Sequence, residues 1–310
     1  HALESLLMED WHHEKLSILL MNKINEEFDG ELSMALEMFQ GKYHRRFFNQ
    51  LISSQLDVDR LDYLKRDSFF TGVSEGSVNT QRIISMMNVC DDELVIDEKG
   101  VYSIENFLTA RMFMYWQVYY HKTSALAEHL LVKILSRAKQ LISEGKSIEA
   151  YGNLKYFLYK TDFEKATEED IIRFTQLDDT DVLSAIKTWQ NADDFVLSYF
   201  CRAVVQRKFP KTVFSSHPFD QKIIEEKTTK ANDFFGINNG ELLVEQISRT
   251  LLPYDTEKQT IFLLKKNGEK IKLEDAETQI LSAHINQPTT KNILYFPREI
   301  SNGAFDVKKY

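Results

Sequence analysis

Apolar residues recur at three- and four-residue spacing through most of the chain up to about residue 230, the period of an amphipathic helix. Leu16, Ile18, Leu19, Leu20, Ile24 and Phe28 predict a helix over 11–28, stopped by Asp29-Gly30. Further helices are expected over 31–39, ended by Gly41, then over 43–54 and 57–70, with Gly72 closing that pair. Leu94-Val95-Ile96, Asp97-Glu98-Lys99-Gly100 and Val101-Tyr102 read as a small hairpin. Ser103 then caps a helical pattern that meets no Pro or Gly before Gly145. As one helix it would span about 60 Å at roughly 1.5 Å per residue.

Thr167-Glu168-Glu169-Asp170 has the form of a capping box with Asp in the fourth place, and helices are expected over 181–189 and 194–206. The pattern changes near Phe234. Residues 242–247 and 259–264 have strand composition, and Asn267-Gly268 signals a tight turn before a return strand at 270–273. A short helix over 274–283 and a strand over 293–296 complete the series. The expected fold is mainly α: a helical body over 1–230 and a smaller mixed α+β C-terminal lobe over 231–310.

Composition narrows the class. A chain of 310 residues with 43% hydrophobic and 27% charged content can bury a sizeable core and is not a disordered polymer. Its net charge of −9 argues against nonspecific nucleic-acid binding, though not against a small polyanion in a local basic pocket. No apolar run approaches about 18 residues, so no membrane span is expected. Two cysteines, Cys90 and Cys201, make no disulfide framework and suit a reducing, cytoplasmic location. His1-Ala2-Leu3-Glu4 reads as the interior of an element, so further residues are expected upstream.

The segment 54–68 carries the most chemistry. On a helix, Asp59 and Tyr63 share a face, and Arg60, Tyr63 and Asp67 form a stripe. A carboxylate suits a hard metal, a guanidinium a phosphate, and a ring a sugar or base. A solvated helix laced by ion pairs such as Asp62–Arg66 accounts for the same spacing. Arg111, Tyr115, Tyr119 and Lys122 make a second stripe on the long helical pattern, with cations at both ends. Aromatic stripes are commonly core, but terminal cations fit that explanation poorly. Arg202, Arg207, Lys208 and Lys211 concentrate positive charge in an acidic chain, as a phosphate contact or a solvated helix end. His12 and His13 open the first helix, where a surface helix start or adventitious metal binding is the plainer reading and proton transfer the other.

The run Leu56-Asp57-Val58-Asp59-Arg60-Leu61-Asp62-Tyr63-Leu64, followed by Arg66-Asp67-Ser68 and Thr71-Gly72-Val73, resembles a metal-ligand motif of the HD-domain phosphohydrolases. It is most similar to the deoxynucleoside triphosphate triphosphohydrolases, the bacterial relatives of the human SAM-and-HD-domain dNTPase. The resemblance extends from His1 through the long helical pattern, weakens to about Lys211, and is vague in the C-terminal lobe. It implies an HD-domain body in which Asp59 is a metal ligand, while the three other ligands would precede His1. The metal would be divalent (Mn, Fe, Zn or Mg), with Mg²⁺ accompanying the triphosphate.

His13, paired with Glu4, would be the acid–base histidine, and His1 a general acid near the leaving 5′ oxygen. Arg60 and Arg111 would contact phosphate, Tyr63 would pack on deoxyribose, and Asp67 would accept its 3′ hydroxyl. Tyr119 would also touch substrate. Arg82, Lys122, Arg207 and Lys211 would contact an activating nucleotide in a homotetramer. The expected reaction converts dNTP and water to deoxynucleoside and triphosphate. Two alternatives remain: an HD phosphohydrolase for guanosine tetraphosphate, cyclic nucleotides or monophosphates, and a nucleotide sensor without catalysis.

Overall fold

The computed structural model describes residues 13–161, 167–257, 259–276 and 287–301. Their helices in chain order are α1 (His13–Glu27), α2 (Ser33–Phe39), α3 (Arg46–Ile52), α4 (Val58–Thr71), α5 (Thr80–Met86) and α6 (Val101–Met114). They continue as α7 (Lys122–Ser143), α8 (Gly152–Tyr159), α9 (Glu168–Thr175), α10 (Asp179–Trp189), α11 (Phe195–Val205) and α12 (Gln221–Phe235). The strands are β1 (Met87–Cys90), β2 (Glu93–Asp97), β3 (Lys211–Ser215), β4 (Glu245–Leu251), β5 (Phe262–Leu264), β6 (Lys270–Lys272) and β7 (Thr289–Phe296). The fold is mainly α with a smaller α+β part. No helix among the described residues is long and apolar enough to cross a membrane.

The chain forms two compact units. Among the described residues, one takes those within 13–20, 122–248 and 291–301; the other takes those within 21–121 and 249–290. Of the residues beyond 231, those up to 248 and from 291 fall in the first unit and 249–290 in the second. In the second unit, β5 lies parallel to β2 with Val95 opposite Phe262, and antiparallel to β6. The sheet order is β1-β2-β5-β6. The turn at Asn267-Gly268 forms as the sequence predicts, with Gly268 at φ +84°. Below this sheet, Leu61, Leu64, Ile104, Phe107, Leu108 and Met114 build the core between α4 and α6.

The hairpin is displaced from its expected place. Its strands are β1 and β2, and its turn is Asp91-Asp92, both with positive φ (51° and 60°). Asp tolerates the left-handed region better than most residues, and a two-residue turn of this hand matches the twist of the strands. The Asp92 carboxylate fixes the turn by accepting from Arg45 Nε at 2.7 Å and the Arg46 N–H at 2.8 Å. Residues expected as the return strand instead begin α6. Gly100 permits that start, because a Cβ there would lie 2.7 Å from Ile96 Cγ2.

The long helix is also interrupted. After α6 the backbone takes a π turn over Tyr115–Tyr119, closed by the Tyr120 N–H on the Tyr115 carbonyl at 2.6 Å. The wider turn brings the Tyr115 ring against both Tyr119 and Tyr120, each at 5.2 Å and edge-on. The α6 helix and the π turn belong to one unit, and α7 opens the next segment of the other.

In that other unit, α7 buries Leu126, Leu130, Ile134, Ala138 and Leu141 on one stripe. They join Phe157, Trp189, Leu197 and Phe200 in one core. Trp189 Nε1 donates to the Glu149 carbonyl at 2.7 Å, so the buried indole leaves no polar atom unpaired. The strand β3 pairs antiparallel with β7, Lys211 opposite Phe296, and β4 flanks β7 on its other side. Glu245 at the start of β4 accepts from Lys133 at 2.5 Å and from the Tyr295 hydroxyl at 3.1 Å, and lies 3.1 Å from His129 Nε2. The expected helix at 274–283 falls largely outside the described residues.

Candidate functional site

The site is built on α4 and α6 within the second unit. Asp57 is the N-cap of α4, its buried carboxylate accepting from the Arg60 N–H at 2.8 Å. Gly72, at φ +73°, ends the helix in the left-handed conformation. These two stops fix the ends of α4, and its buried Leu61 and Leu64 fix its rotation, and with it the direction of Arg60, Tyr63 and Asp67.

Arg60 Nη1 bonds the Asp57 carboxylate and the Ser54 carbonyl, while its buried Nε has no partner. Tyr63 lies edge-on to Tyr119 with ring centres 6.1 Å apart. Burial is the main cause that lifts the Tyr63 phenol above its ordinary range, Tyr115 adds to it, and Arg111 and Arg60 pull the other way. The Tyr119 hydroxyl donates to Asp67 Oδ2 at 2.7 Å. Burial first, and then this carboxylate, raise the Tyr119 phenol as well. Both phenols therefore stay protonated, as hydrogen-bond donors. The exposed Asp62–Arg66 pair also forms, and Arg66 Nε lies 4.0 Å from Asp67 Oδ1 as well.

Arg111, on the last turn of α6, is only 9% exposed. Its Nη1 donates to Gln55 Oε1 at 3.2 Å and to the Pro253 carbonyl at 3.4 Å. Its Nε is buried without a partner, and the guanidinium carbon sits 5.7 Å from the centre of the Tyr115 ring. No carboxylate among the described residues forms an ion pair with it. Such a cation, desolvated and paired only with neutral acceptors, is suited to an arriving anion.

The structure thus brings together Arg60, Tyr63, Asp67, Arg111 and Tyr119. Asp59 lies on the exposed first turn of α4. Among the described residues no group of three or more His, Cys, Asp or Glu could hold a metal ion. One carboxylate does not make a three- or four-ligand site, so the other ligands of the expected metal would come from outside the described residues. Arg82 is exposed on α5. Lys122, Arg207 and Lys211 lie in the other unit, Arg207 in the left-handed region at φ +54°. His13 begins α1, also in that unit, 3.5 Å from Glu14. His1 and Glu4 lie outside the described residues. The break after Tyr119 ends the single helical stripe that was expected to carry Lys122.

Three features had no sequence signal as site residues. Gln55 stands beside the motif but carries no charge. Tyr115 belongs to the second stripe but had no role of its own. The 253–255 loop is remote in sequence, Pro253 being 142 residues from Arg111.

Residues 78–156, which include α5, α6 and all of α7, match the HD associated region. The chain is similar over 96% of its length to the crystal structure of a phosphohydrolase from Bacteroides thetaiotaomicron. The two are 40% identical with a TM-score of 0.89, and 75% of that chain is covered. The protein YwfO of Bacillus subtilis is 32% identical over 288 residues, 91% of this chain and 64% of YwfO. A deoxynucleoside triphosphate triphosphohydrolase SAMHD1 homolog of Dictyostelium discoideum is 27% identical over 166 residues, 48% of this chain and 32% of that protein. The chain therefore spans less than two thirds of these two relatives. With the α4 motif and the structural match over nearly its whole length, the chain belongs to the HD phosphohydrolase family.

Proposed function

We propose that the protein takes part in hydrolysis of deoxynucleoside triphosphates to deoxynucleoside and inorganic triphosphate. In this reaction a water oxygen bonds to the α-phosphorus, the bond from phosphorus to O5′ breaks, and O5′ takes up a proton. The observation that carries this reading is Arg111: a nearly buried guanidinium whose Nε has no partner and which pairs with no carboxylate among the described residues, beside Tyr63 and the Asp67–Tyr119 pair. A triphosphate supplies the missing anion. Arg111 and Arg60 bind its oxygens and stabilise the charge that develops there.

Tyr63 packs against the sugar, where its ring leaves no room for a 2′ hydroxyl. Asp67 accepts the 3′ hydroxyl while Tyr119 holds its second oxygen. Proton transfer by His13 and His1, a resident divalent metal with Asp59 among its ligands, and activation by a nucleotide in a homotetramer belong to the same proposal.

The test is a substrate profile of the full-length protein with Mg²⁺. Each dNTP is compared with its ribonucleotide, guanosine tetraphosphate and a cyclic nucleotide. Preference for dNTP is expected, and Tyr63→Ala should reduce discrimination against the ribonucleotide by about tenfold or more, the worth of one pocket contact. Equal rates on ribo- and deoxyribonucleotides in the unaltered protein would overturn the sugar assignment.

A further inference from the structure

Gln55 lies just before the α4 cap, is 8% exposed, and spends both ends of its amide inside the second unit. Its Oε1 accepts from Arg111 Nη1 at 3.2 Å, and its Nε2 donates to the Asp255 carbonyl at 3.1 Å, 200 residues away in sequence. The same Arg111 nitrogen donates to the Pro253 carbonyl. We infer that Gln55 is a positioning residue for Arg111, and that the 253–255 loop is the fixed wall from which Gln55 and Arg111 are both hung. This rests on the phosphate-binding role proposed above for Arg111.

The chemistry favours an amide at this place. A glutamate would meet Arg111 as a counter-ion, neutralise it and repel an incoming phosphate. It would also place a carboxylate oxygen against the Asp255 carbonyl, where a donor is needed. An aliphatic side chain of equal length would leave the guanidinium and the Asp255 carbonyl each one bond short. Glutamine holds the cation without cancelling its charge.

The wall itself is anchored. Tyr254, between the two accepting carbonyls, is 1% exposed. Its hydroxyl accepts from the Ile261 N–H at 2.9 Å and donates to Glu274 Oε2 at 3.1 Å. The carbonyls on either side are therefore presented by a loop with little freedom to drift. On the face of the guanidinium, the Tyr115 ring supplies a further restraint. The Arg111 Nε is buried and has no partner among the described residues.

The test uses the full-length protein, with inorganic triphosphate as the probe in titration calorimetry and dNTP in steady-state kinetics. Gln55→Met should weaken triphosphate binding and raise KM by about tenfold, with a smaller change in kcat, because one bond orienting a charged group is lost. Gln55→Glu should weaken triphosphate binding more than Gln55→Met, although it restores a polar side chain and pairs with Arg111. A role in folding alone predicts the reverse order, with thermal stability following Gln55→Met and triphosphate affinity unchanged in Gln55→Glu. Arg111→Met separates the two claims. If it weakens triphosphate binding while both Gln55 variants bind normally, the positioning role is overturned and the phosphate role stands. If Arg111→Met binds triphosphate normally, both fall.

Discussion

Arg111→Ala in the full-length protein is expected to lower kcat/KM for dNTP by about 100- to 1000-fold, the range for removing one preorganised charge contact from a transition state. The size follows from burial. The guanidinium is 9% exposed and bonded to two neutral acceptors, so its charge is little screened by water and is cancelled by no carboxylate among the described residues. Arg111→Lys keeps the charge but loses the planar fork, and should recover only part of the rate. The alanine variant also leaves Gln55 Oε1 and the Pro253 carbonyl without this donor, a stability cost of about 1–3 kcal/mol. Steady-state kinetics beside a thermal melt separates the two effects. A folded Arg111→Ala protein with less than about a tenfold loss would contradict the role.

Asp170→Ala is the substitution expected to cost most stability, about 3–5 kcal/mol, because it strips a buried ion pair and a helix cap together. Asp170 is 2% exposed. Its Oδ2 accepts from the Thr167 N–H and Oγ, each at 2.7 Å, and its Oδ1 accepts from the Tyr156 hydroxyl at 2.9 Å and from Lys160. Burial alone would raise this carboxyl. The Lys160 and Thr167 bonds outweigh it and hold the group at about 2. An unfolded Asp titrates near about 3.9. Its contribution is therefore complete above that value and is lost as pH falls towards about 2, where the unfolded chain binds more protons. Urea unfolding near neutral pH checks the magnitude. The acid limb checks the cause: between those two values Asp170→Ala should lose less stability than the unaltered protein. Parallel acid limbs would refute the ionic contribution.

The legible parts of the fold were those written in local chemistry. The box from Thr167 to Asp170 forms with both of its reciprocal bonds, as its side chains dictate. Gly72 stops α4 where a left-handed residue is needed, and Asn267-Gly268 turns β5 into β6. The side chains grouped on α4 were legible for the same reason, since helical spacing alone puts Arg60, Tyr63 and Asp67 on one face.

What escaped the sequence depended on distance or on crowding. The π turn at Tyr115–Tyr119 has no Pro or Gly to announce it, so continuous apolar periodicity read as one helix. The hairpin was misplaced because Val101-Tyr102 has strand composition, whereas the turn was set by Asp92 meeting Arg45 and Arg46 in α3 and its cap. The pairing of β2 with β5, and the hold of Pro253 and Asp255 on Arg111 and Gln55, join segments far apart in the chain. No local pattern encodes them. They are also the contacts that turn a charged stripe into a buried, oriented cation.

The central claim is the bond that breaks. Phosphorus NMR of the full-length protein turning over a dNTP with Mg²⁺ in ¹⁸O-labelled water reads it directly. Inorganic triphosphate carrying the label, with unlabelled deoxynucleoside, is the predicted result. Pyrophosphate with deoxynucleoside monophosphate, or orthophosphate with the diphosphate, would contradict it.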